Sequence, residues 1–348
     1  MKLVSFASAL LALLLMGSLS VVAQEKPKAD EKKVEEKFDR GDEKAEKELK
    51  KAYIRIASAE AKGLERFKSD AKIVIDTSST GLPIQIPPQV GKLLWKVGKA
   101  PHFEGDKAEA PAPGGMDTST IAKRAFAPFM SFVFGVEAWD TRFKEANFKY
   151  GELTKEEAAA KKKKTYVIVK YKDEATTPET YALEDNKVVG MAAERSLQGQ
   201  KQLVQYTFVY EDKGKELKIK EVLLSSKMTI PAGAMPGGDG APDPKNPENK
   251  DPKKEEGSEE EPAPEGEDQE GGIDMSVKLT EFATVGKAEI CTKLEVTIEV
   301  KAGPMQLSIP ASMEITNPKG NKDVSDDDLK PMDTPDASGT EGGSDEGF

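Results

Sequence analysis

The sequence predicts an α+β protein: a curved antiparallel sheet, an unclosed barrel, wrapped around an N-terminal helix and an apolar inner helix. Three observations carry that expectation. Most apolar residues recur at a spacing of two, which puts them on one face of a strand. The stretch from Glu43 to about Arg66 has the spacing of an amphipathic helix, and Thr118 to Phe143 is apolar nearly all round, so it must be enclosed.

The elements follow in order. Leu49, Ala52, Tyr53, Ile56 and Ala59 recur at helical spacing with Lys and Glu between them, and Gly63 weakens the last turn. The period then becomes two. Ala71, Ile73 and Ile75 make one half-buried strand, and Leu93, Trp95 and Val97 make a second after the turn at Pro87-Pro88. In the inner helix Phe126, Phe129, Met130 and Val133 share one face, while Phe132, Phe134, Val136, Trp139 and Phe143 cover the others; Pro128 belongs in its first turns or kinks it.

Val204, Tyr206, Phe208 and Tyr210 then form a strand answered by Leu217 and Ile219. Beyond Lys220 the apolar phase moves to Val222, Leu224, Met228 and Ile230, the change that a β-bulge produces. Finally Leu294, Val296, Ile298 and Val300 alternate with polar residues, turn at Ala302-Gly303-Pro304, and resume as Met305, Leu307, Ile309, Met313 and Ile315.

The ends and one internal stretch are of a different character. Met1 to Ala23 reads as a signal peptide, with Lys2, an apolar run from Leu3 to Leu19, and the small-residue pattern Val21-Val22-Ala23 ahead of Gln24. Export to the periplasm or beyond is therefore expected, and with no cysteine near the cleavage point no lipid anchor is expected to remain. Three segments offer too little to bury and are expected to be disordered: 24–41, 236–272 and 317–348. The middle one interrupts a single domain over 42–316, because Ile273 to Thr316 holds only strands with one apolar face.

Composition narrows the function. A net charge of -11 argues against nucleic acid and anionic lipid surfaces as partners, and the basic cluster Lys161 to Lys164 fits a solvated turn. The sole histidine, His102, has no nucleophile pattern beside it, and the sole cysteine, Cys291, fits a buried thiol. No metal site and no cofactor are expected: the chain lacks clustered His and Cys, Asp323 to Asp328 lacks the spacing of a calcium loop, and no phosphate-cradling glycine loop occurs. No catalytic residues emerge, and a non-enzymatic role follows. The constellation left is aromatic: Trp95, Phe126, Phe129, Met130, Phe132, Phe134 and Trp139 either line a cavity for alkyl chains or fill an ordinary core.

The order of these elements resembles the periplasmic LolA-like family of outer-membrane lipoprotein carriers. The residues that carry the resemblance are Gly91-Lys92-Leu93-Leu94-Trp95-Lys96-Val97 with Pro101-His102-Phe103, and the run from Phe126 to Gly135. Tyr166 to Lys170, Tyr181 to Met191 and Tyr206-Thr207-Phe208 match as well. The chain departs from the family where an arginine is usual, having Glu104-Gly105 instead. The resemblance implies an unclosed barrel that holds acyl chains, so a carrier of lipid-like amphiphiles or lipoproteins is the first functional expectation. A scaffold with a filled core and acidic arms is the alternative.

Overall fold

The described residues form twelve strands, β1 (Arg66–Ile75), β2 (Gln89–Lys96), β3 (His102–Gly105), β4 (Ala146–Tyr150), β5 (Thr165–Tyr171), β6 (Glu179–Glu184), β7 (Lys187–Leu197), β8 (Gln200–Lys213), β9 (Glu216–Ile230), β10 (Gln269–Val285), β11 (Ala288–Ala302) and β12 (Met305–Gly320). The computed structural model describes residues 39–78, 86–106, 118–152, 164–173, 176–197, 200–230, 269–302 and 305–333. The signal-peptide reading, most of the expected disordered segments and Lys161 to Lys163 lie outside these residues.

All strand pairs in the sheet are antiparallel, in the order β3-β2-β1-β12-β11-β10-β9-β8-β7-β6-β5-β4. The sheet is open, with β3 and β4 as its edges, and it curves around the helices. From β4 to β12 it is a plain meander, and among the described strands the small unit β1–β3 joins it through β12. The connection from β3 to β4 must therefore run from one edge to the other. It crosses the concave side, carrying helices α2 (Thr118–Met130) and α3 (Trp139–Arg142), with a 3₁₀ turn at Ser131–Phe134 between them.

Inward-facing residues line up across the ladder. Tyr181, Met191, Tyr206, Leu224, Met275, Ile298 and Ile309 are directly opposed in succession from β6 to β12. The bulge expected beyond Lys220 is present: Val209 faces Glu221 while Tyr210 faces Ile219, which leaves Lys220 as the extra residue. The expected C-terminal hairpin is β11–β12, closed with Ala302 opposite Met305.

Helix α1 (Glu43–Tyr53) starts where Asp42 accepts hydrogen bonds from the Lys44 and Ala45 amides at 2.8 and 3.1 Å, and it buries Ala45, Leu49, Ala52 and Tyr53 on one face. It ends at Tyr53, well short of the end near Arg66 that its periodicity predicts. The next segment turns extended because the sheet offers it partners: the Ala57 amide donates to the Leu217 carbonyl at 2.8 Å, and the Leu217 amide donates to Arg55 at 2.6 Å. Helical spacing at Ile56 and Ala59 is overridden by these long-range bonds. The plug is likewise shorter than a continuous helix over Thr118 to Phe143. Pro128 stands in the last turn of α2, and Gly135 breaks the run at φ +78. A Cβ on Gly135 would sit 2.1 Å from the Ala57 carbonyl oxygen, so this crossing of two chain segments requires glycine.

At each described border, residues read as disordered belong to ordered elements. Gly41 forms a parallel bridge with Phe148 and covers the edge of β4, and Gln269 to Gly272 already belong to β10. The largest difference is at the C-terminal side. Asn317 to Gly320 complete β12, and 3₁₀ turns at Asn321–Asp323 and Asp327–Asp333 follow as a strap. Two apolar residues among the acids explain it: Val324 and Leu329 are buried over Leu94, on the side of β2 away from the main core. The acids are paired too, Asp326 with Arg66 at 2.9 Å and Asp328 with Lys68.

Candidate functional site

The concave side of the sheet is occupied by α1, α2 and α3, and the predicted aromatic residues stand there in two separate groups. In the first, Trp95 on β2 stacks on Phe134, with ring centroids 4.5 Å apart and planes 15° apart, and Phe67 of β1 meets Phe134 edge-on at 5.0 Å. In the second, Trp139 of α3 stacks on Phe148 at 5.7 Å and packs against Phe143 at 4.4 Å and Tyr53 at 5.9 Å. Phe126, Phe129 and Met130 are no more than 2% exposed. Phe132 is half-buried and meets Phe208 edge-on at 6.5 Å.

Of the predicted set, Phe132 borders the hollow beside Lys218 and Cys291, and no member borders the hollow at the end of β12. The first hollow is about 20 Å³, shared with Val133, Lys218, Phe282 and Cys291. It marks a split in the sheet. The β9–β10 ladder stops at Glu221 opposite Lys278, and the leading end of β9 pairs with the Arg55–Ala57 segment instead. Lys218 fills the gap, with its ammonium 3.2 Å from the Phe282 ring centroid and 2.6 Å from Glu289 Oε1. Burial lowers the Lys218 pKa and the Glu289 carboxylate partly restores it. Cys291 is buried beside this gap, its thiol donates to the Lys293 carbonyl at 3.1 Å, and burial pushes its pKa up to about 12. His102 opens β3 opposite Leu94.

The polar centre of the concave side went unseen in the sequence. Glu179 lies in β6 between Val169 and Ala193 and is 1% exposed. Arg142 Nη2 donates to both of its carboxylate oxygens, at 2.6 and 2.8 Å, and the hydroxyls of Tyr171 and Tyr181 donate to Oε2 at 2.7 and 2.8 Å. Burial alone would raise the Glu179 pKa; the Arg142 charge and these hydrogen bonds outweigh it and hold the carboxyl below its ordinary range. The other end of α3 is tied down as well, because Glu60 accepts from the Ala138 amide at 2.8 Å and from the Thr141 hydroxyl. The one signal available was phase: Glu179 alternates with Tyr181 and Leu183 on a face that is otherwise apolar.

The second hollow is open and of about 400 Å³, at the end of the sheet where the β10–β11 turn approaches the end of β12. Among the described residues, no group of three His, Cys, Asp or Glu side chains is placed to hold a metal ion, and no helix is long and apolar enough to cross a membrane.

No family model matches the chain, and no curated protein matches it. Two solved structures share weak similarity with it. One, described as the crystal structure of MucB in complex with MucA(peri), is 9% identical over 78% of this chain and 93% of that chain, with a TM-score of 0.16. The other, the complex structure of Pseudomonas aeruginosa MucA/MucB, is 10% identical over 77% and 93%, also with a TM-score of 0.16. At that score neither likeness carries an argument about this chain.

Proposed function

We propose that this chain is an exported, non-catalytic binding protein whose half-barrel is a filled scaffold that offers its outer surfaces to partners. The observation that supports this most directly is the Trp95–Phe134 stack, at 4.5 Å, in the region where a carrier would hold an acyl chain. Small-molecule sites generally need about 300 Å³ or more. The hollow beside Phe132 has about 20 Å³, room for roughly one water. The leader-like Met1 to Ala23 supports export.

A second reading, the carrier of acyl chains or lipoproteins implied by the family resemblance, is favoured by one observation. Met191, Tyr206, Phe208, Met275 and Leu307 face the concave side and are only partly buried against the core. In that reading cargo enters by displacing the 3₁₀ turn, whose Phe132 meets Phe208, from this strip. Titration with a fluorescent fatty acid, using Trp95 and Trp139 as energy-transfer donors, separates the two, together with mass spectrometry of an organic extract of native protein. The scaffold reading expects no saturable quenching and no co-purifying lipid. Saturable quenching that is lost in a folded Phe208→Asp variant would overturn it in favour of the carrier.

A further inference from the structure

We infer that the open hollow between the β10–β11 turn and the end of β12 is a binding site for a compact polyanion carrying several phosphate groups. The inference goes beyond the scaffold and carrier readings, since neither assigns a ligand to this surface. Lys62, Lys287, Lys319 and Lys322 border the hollow, against a single carboxylate, Asp323. Lys62 is ion-paired with Glu216 at 3.1 Å. Lys287, Lys319 and Lys322 are exposed and have no ion-pair partner among the described residues. In a chain of net charge -11, whose other lysines are largely interleaved with acids, this is a local reversal of sign. The overall acidity that disfavours anionic partners therefore does not describe this end of the sheet, because exposed charges more than about 10 Å apart are largely screened from one another.

The hollow is also built as a fixed shape. Its floor is apolar, with Leu64 and Val285 3% and 8% exposed. They approach over Gly320, where a Cβ would lie 2.6 Å from each. Asn321 locks the wall: its Nδ2 donates to the Gly63 carbonyl at 2.7 Å, and its Oδ1 accepts from the Glu65 and Arg66 amides at 2.8 and 3.3 Å. That clasp holds Lys319 and Lys322 beside the turn that carries Lys62 without consuming any lysine. The volume, about 400 Å³, falls in the range of small-molecule sites. Lysine ammoniums act as point charges with no planar fork, so they suit a ligand that spreads several negative groups around a small body better than one planar carboxylate.

The test uses the full chain and inorganic tripolyphosphate, followed by isothermal titration calorimetry at low and moderate salt. One saturable site is expected, weakened at least tenfold in a Lys287→Gln/Lys319→Gln/Lys322→Gln variant and weakened again by salt. A control with Lys72→Gln/Lys92→Gln/Lys278→Gln, exposed lysines outside the hollow, is expected to bind like wild type, with circular dichroism confirming both folds. Absence of saturable binding, or equal loss in both variants, overturns the site. Flotation with phosphatidylglycerol vesicles distinguishes the sources of the phosphate. Flotation abolished by tripolyphosphate and by the hollow variant assigns a lipid headgroup, and tripolyphosphate binding without flotation assigns a free anion.

Discussion

Arg142 spans both oxygens of Glu179 from one guanidinium nitrogen, at 2.6 and 2.8 Å, and so fastens the last helical turn of the plug to the inner face of β6. Tyr171 and Tyr181 both add a hydroxyl donor at Oε2, so that a charge placed among Val169, Ala193 and Tyr181 is paired and hydrogen-bonded. Such a pair is costly to break and cheap to replace as a whole.

The corresponding prediction is a double-mutant cycle. Arg142→Leu leaves Glu179 buried and uncompensated and is expected to cost about 3–5 kcal/mol. Glu179→Met in the same background should recover much of that loss. Urea denaturation of the single and double variants measures both steps, and additive losses would mean that the pair is not coupled.

The same pair sets an acid limb. Because the folded carboxyl sits below its ordinary value of 4.5, its contribution is complete above that value and is lost as pH falls through the lower folded pKa. Stability is expected to be insensitive to this group above about pH 5 and to decline below it. Glu179→Gln should flatten that decline in urea midpoints taken between neutral and acid pH.

Gly135→Ala is expected to destabilise by about 2 kcal/mol or more. The backbone is at φ +78 and the added methyl would meet the Ala57 carbonyl oxygen at 2.1 Å. Gly214→Ala, also at positive φ but with nothing within 4 Å of its Cβ, should cost markedly less, and thermal denaturation compares the two.

Leu329→Ala tests the strap. Leu329 is 3% exposed over Leu94, so truncation is expected to cost about 2–3 kcal/mol in urea denaturation. A solvated acidic tail would show no change.

Cys291 is expected to resist alkylation by iodoacetamide at pH 8 in the native protein and to react promptly in denaturant. Its raised pKa, about 12, keeps the thiol protonated, and burial blocks approach. Fast reaction of native protein would contradict this placement.

What the sequence revealed of this fold was what has a short period. The strand phases, the bulge at Lys220 and the β11–β12 hairpin are written in neighbouring residues, and so is the need to enclose Phe126 to Trp139. What it hid depends on partners far away in the chain. Ile56 and Ala59 continue a helical pattern, but Leu217 and Phe134 claim the adjacent backbone, and the helix stops. Val324 and Leu329 are outnumbered by acids whose solvation looks inevitable until Arg66 and Lys68 stand opposite them. Glu179 reads as one more surface charge unless Arg142 is known to reach it. The aromatic residues are legible as apolar, yet whether such residues line a void or fill it depends on how they stack, which residue type alone does not specify.

The pairing of β1 with β12 makes assembly of this molecule obligatorily late. Ala71 lies opposite Ile315 and Ile73 opposite Met313, so the β1–β3 unit has no place in the ladder until the twelfth strand has emerged. An unfinished chain carries two bare strand edges, on β1 and on β11, each able to recruit a stranger. High sequence separation of this kind slows folding. From the completion of β3 until β12 is made the seam stays unsewn, and that interval is where the chain is most open to misassembly.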